Sequence, residues 1–172
     1  PSDGMFGFVG RVLEWLTQGA VDQLDPVGAP VHPPVTYHKA GSDLVIPRVD
    51  TPPVTDQPWI GLTAIVPVGT KRVDITAWSD LLAPPNTERV GVACLLASPF
   101  PFEYPSRVSD LLSQLEQAGV DQDRLFLCLE WAALHNPDGT PLYITVGTPM
   151  RGVRGAVLSQ HLSVWQLEPW FA

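Results

Sequence analysis

The stretch SRVSDLLSQLEQAGVDQDRLFLCLEWAALH, residues 106–135, decides the fold class. Val108, Leu111, Leu112 and Leu115 recur at the three- and four-residue spacing of one helix face, and Gly119 closes the run. Ser106 stands where an N-cap is needed, with Pro105 before it. A second helix is expected from Asp121 or Asp123 to His135. It would present Leu125, Cys128, Leu129 and Ala132 on one face, with Trp131 and Leu134 broadening it. Asp121 and Asp123 alternate like the first acids of a calcium loop, but Leu125 and a missing glutamate break that pattern. Carboxylates at the amide-rich start of a helix explain them better.

Outward from this helical pair the periodicity changes to two. Val90–Leu96 is the most apolar run in the chain, which places it centrally in a sheet and makes Cys94 structural. Downstream, a turn at Asn136–Gly139 leads into Leu142, Ile144 and Val146, which alternate with Tyr143 and Thr145. A last strand is expected over Leu158–Leu167. Upstream, Ile60, Leu62, Ala64 and Val66 alternate with Gly61, Thr63, Ile65 and Pro67. Val73, Ile75 and Ala77 follow a turn at Gly69-Thr70. This predicts an antiparallel hairpin with one covered face and one partly wet.

Two segments lie further out. Met5, Val9, Val12 and Leu16 share one side of an opening helix, with Phe6 and Leu13 beside them and Phe8 and Trp15 widening the apolar surface. Asp3 can cap it. Such a helix is either packed on two sides or part of an interface, and packing is the expectation. From Pro26 to Pro58, eight of thirty-three residues are proline, so no long helix fits. We read 26–58 as an ordered wrapping segment with short edge strands at Val35–His38 and Leu44–Ile46. The order of elements gives one α+β domain over residues 1–172: an N-terminal helix, an antiparallel or mixed β-sheet and a two-helix layer.

Ten basic residues against eighteen acidic ones give a formal charge of −8, the wrong sign for non-specific nucleic-acid binding or for condensing on anionic lipid. No apolar run reaches the length of a membrane-spanning helix, and Pro1–Met5 lacks the basic region of an intact signal peptide. Cys94 and Cys128, both among apolar neighbours, read as buried thiols, and a cytoplasmic setting is expected.

The segment Gly147–Gly155 is least explained by folding alone. Its three glycines permit tight backbone paths, and Arg151 and Arg154 carry the only formal charges between Gly139 and Leu167. Arg151, Gly152 and Arg154 would offer amides and guanidinium groups to an acidic protein surface or a small anion. The segment has neither P-loop nor dinucleotide spacing. The aromatic tail adds Trp165 and Trp170 as apolar anchors, and Phe100, Phe102 and Tyr104 alternate between prolines ahead of the helical pair. The resulting expectation is a non-enzymatic interaction module without metal or cofactor. The alternative is a small hydrolase or transferase using His161 as base with Cys94 or Ser159 as nucleophile. A homo-oligomer built on the N-terminal helix is the third reading. No zinc spacing occurs, and the acids Glu103, Asp110, Glu116 and Glu130 do not pair by spacing.

Overall fold

A computed structural model describes residues 4–21, 44–99, 105, 107–150 and 159–167. Along the chain run α1 (Gly4–Ala20), β1 (Leu44–Pro47), β2 (Trp59–Pro67), β3 (Arg72–Ser79) and β4 (Val90–Leu95). Then follow α2 (Val108–Gln117), α3 (Gln122–His135), β5 (Leu142–Met150) and β6 (Ser159–Leu167). The chain divides into two compact units, residues 1–32 with 151–157 and residues 33–150 with 158–172. In the first unit the described part is α1 with Val21.

The second unit holds a mixed six-stranded sheet in the order β1-β3-β2-β4-β5-β6, so the class is α+β as expected. β4 and β5 run parallel because α2 and α3 form the crossover between them, and β1 also runs parallel to β3. The other neighbours are antiparallel. β4 is central and buried at every position. Across the sheet, Ile60, Cys94, Val146 and Ser163 form one row, and Leu62, Val92, Ile144 and Trp165 form the next. The apolar members of these rows share the main core with Leu111 and Leu115 of α2 and Leu125, Cys128 and Ala132 of α3.

α2 ends by the mechanism its glycine suggested. Gly119 has φ +83°, its N–H donates to Glu116 O at 2.9 Å, and Val120 N–H donates to Leu115 O at 3.0 Å. Leu115 and Val120 are both buried, the apolar contact that accompanies this C-cap. Asp121 caps α3, its Oδ1 accepting from Arg124 N–H at 3.1 Å.

Four expectations change. The N-cap of α2 is Arg107, which makes no side-chain capping bond; Ser106 lies outside the described residues. Leu134 does not join the core and is 81% exposed. The hairpin is buried on both faces over Ile60–Ile65. Thr76 bulges where the β2–β3 register shifts between Ala64 and Ile65. This turns Val73 and Ile75 away from the helices, and Val73 joins Ile65 and Tyr143 in a second cluster. Finally, β5 runs on through Gly147–Met150, where a loop was expected. A Cβ on Gly147 would sit 2.6 Å from Leu95 Cδ2 and 2.8 Å from Gln160 Oε1, so this glycine permits close strand packing rather than a bend. The edge strand Leu44–Ile46 is present as β1; Val35–His38, like all of 26–43, lies outside the described residues.

Candidate functional site

Arg151, Gly152, Arg154 and Trp170 lie outside the described residues. Their flanks are placed: Met150 and Ser159 are register partners at the ends of β5 and β6. Trp165 is half-buried at the margin of the main core, and its indole N–H donates to Pro105 O at 3.0 Å. One edge of that ring is therefore engaged within the chain.

The nucleophile and base candidates share one sheet without meeting. Cys94 lies in the row of Ser163, and half-buried His161 sits two residues before Ser163 on β6, opposite Thr148. Two strand spacings and two residue rises separate the Cys94 and His161 backbones by about 12 Å. Ser159 opens β6, two residues before His161. Cys94 is fully buried, and burial, with Cys128 a second cause, pushes its thiol up to about 12. Burial also raises Cys128. Both are free cysteines. Among the described residues no three His, Cys, Asp or Glu side chains gather to hold a metal, and no helix is long and apolar enough to cross a membrane.

Two polar constellations went unread in the sequence. Asp74 Oδ2 accepts from Arg48 Nε and from Arg72 Nη2, and its Oδ1 accepts from Arg72 Nε, each at 2.7 Å. Asp74 is nearly buried while the arginines are partly exposed, and its hydrogen bond raises the Arg72 pKa above the ordinary arginine value. The triad fastens the end of β1 to β3. Arg72 and Asp74 alternate on one strand face, the one signal available in sequence, but Arg48 is 26 residues away from Asp74. The other is His135, whose ring stacks on Trp131 at 4.5 Å and whose Nε2 lies 2.7 Å from Thr87 O. It borders an open depression with Asn86, Thr87, Glu88 and Pro137.

The largest departure from a closed apolar interior is α1. None of its residues is buried. Met5, Phe6, Phe8, Val9, Val12, Leu13, Trp15 and Leu16 are all exposed, Phe6 at 93% and Trp15 at 59%. At 100° per residue these eight fall within one half of the helix circumference, and Gly7, Gly10, Arg11, Glu14, Thr17 and Gln18 occupy the other. Packing on two sides was the expectation, whereas the described side chains of this apolar arc are exposed. Thr17 Oγ1 bonds back to Leu13 O at 2.8 Å, so the polar half satisfies its hydroxyl internally.

No protein-family model matches this chain, and no curated protein is significantly similar to it in sequence.

Proposed function

We propose that the protein is a non-enzymatic interaction module. The observation that carries this reading is α1: a full helical arc of large apolar side chains lies uncovered, and a surface of that kind marks a protein-contact site. Arg151 and Arg154 supply a second, electrostatic contact. In a chain of net charge −8 they form a local cationic island suited to an acidic protein surface or a small anion. Trp165 and Trp170 are further candidate apolar anchors, the indole N–H of Trp165 being committed to Pro105 O. The module acts in the cytoplasm, where the free thiols of Cys94 and Cys128 remain reduced.

The test is calorimetric titration of the full chain with poly-glutamate and, separately, with inorganic phosphate. Exchanging both Arg151 and Arg154 for Glu is expected to weaken binding to at least one of them by tenfold or more, about 1.4 kcal/mol, with the thermal midpoint within about 2 °C of the parent. Equal binding by parent and variant, or none by the parent, would overturn the loop assignment.

A further inference from the structure

We infer that α1 is a self-association helix whose apolar arc seats against the same arc of a second copy of this chain. This deepens the interaction-module reading, on which it rests, by naming the partner of α1.

Size is the first argument. With aromatic rings of about 150–250 Å² and somewhat smaller aliphatic groups, the exposed fractions of the eight residues amount to roughly 800 Å² of apolar surface on one helix. The largest apolar patch of an ordinary monomer is about 300–600 Å², and a stable protein interface needs about 800 Å² from each partner. The arc therefore exceeds what a monomer leaves in water and matches one side of a dimer.

Spacing is the second. Met5, Val9, Val12 and Leu16 follow one another at intervals of four, three and four, the repeat that keeps a seam facing a partner helix. Phe8 and Trp15 flank the seam on one side, Phe6 and Leu13 on the other. One patch repeated in two copies supplies both halves of a two-fold interface, so no other sequence is required.

Charge separates a second copy from a bilayer. Helices that lie in a membrane interface carry lysine and arginine on the polar face. The polar half of α1 carries Arg11 and Glu14, which cancel, and the whole chain is acidic. Nothing on this helix draws it to anionic lipid, and nothing on it repels an identical helix.

The experiment is sedimentation equilibrium of the full chain from about 1 to about 100 µM, the range that resolves micromolar association. The mass is expected to climb from 18.7 kDa toward twice that value. Combined Val12→Glu and Leu16→Glu exchanges should hold it at the monomer value throughout. Arg11→Glu, on the opposite half, should leave association as in the parent. Because α1 contributes no buried residue, the thermal midpoint of all three proteins should agree within about 2 °C at about 1 µM, where association adds least to stability. A parent that stays monomeric, or a double variant that associates like the parent, overturns the proposal. So does a monomeric parent that pellets with phosphatidylcholine–phosphatidylserine vesicles, since the arc would then be a lipid contact. Poly-glutamate titration of the same samples keeps the two claims apart: retained binding by a monomeric parent removes self-association alone, and loss of both removes the interaction reading as well.

Discussion

A thiol reports its surroundings through the proton it keeps, and Cys94 keeps its proton far beyond the ordinary range. Its value is pushed up to about 12 from an ordinary value of 9.0 because a thiolate there would be stripped of water between β4 and the helices. Below the unfolded value both states are protonated and the contribution of Cys94 to stability is constant. As pH rises toward 12 the unfolded chain releases the proton first, so the unfolded state binds fewer protons and stability falls. Cys94→Ala should therefore flatten the decline of the thermal midpoint between about pH 9 and pH 11 while lowering stability at neutral pH by about 1 kcal/mol for the lost packing. Parallel curves for parent and variant would show that the thiol does not titrate as its burial demands. In the same folded protein, a thiol-reactive probe should leave Cys94 and Cys128 unmodified and label both once denaturant is added. The apolar run Val90–Leu96 made this burial legible in advance. Nothing in the sequence placed Cys128 opposite Cys94, since that depends on how α3 lies across the sheet.

At the scale of elements, the helical stripe of α2 and the capping acid of α3 were readable because both are local: each needs only the chain within a turn or two. β5 was read too short because Gly147 and Pro149 resemble turn residues. The glycine is needed instead by Leu95 and Gln160, which arrive from other strands. Long-range polar joints were invisible for the same reason, and Asn136 is the clearest. From the C-cap of α3 its Oδ1 accepts from Val90 N–H at 2.7 Å and its Nδ2 donates to Val90 O at 2.8 Å, so one amide satisfies both backbone groups at the start of β4. The sequence suggested only a turn there. Asn136→Ala should destabilise the protein by about 2 kcal/mol, because two partly buried backbone groups lose their partner together. Asn136→Asp should be no milder, since it sets a carboxylate oxygen against the Val90 carbonyl. Leu134→Ala two residues earlier, at an exposed position, should stay within about 0.5 kcal/mol. Urea unfolding at neutral pH measures all three. A loss below about 0.5 kcal/mol for both Asn136 variants would mean that solvent replaces the amide and that the joint is incidental.

For the whole molecule, composition bounded the class of partner, and pattern showed that α1 needs cover. Neither showed whether the rest of the chain supplies that cover, because an amphipathic arc looks the same whether its partner is internal or external. The two proposed contacts then respond to salt in opposite directions. Binding at Arg151 and Arg154 is a meeting of opposite charges near water, and raising ionic strength from about 0.1 M to 1 M shortens the screening length from about 10 Å to 3 Å. Affinity for poly-glutamate should fall at least tenfold over that range. Association through α1 joins apolar surfaces on two bodies that each carry −8, so the same salt removes long-range repulsion without touching the force that holds the seam. Its dissociation constant should hold or decrease. Sedimentation equilibrium and calorimetric titration in sodium chloride at the two concentrations compare the trends directly. Self-association that weakens in step with poly-glutamate binding would mean that copies meet through charge, with cationic side chains of one against the acidic surface of another, and that the apolar arc of α1 is not the seam.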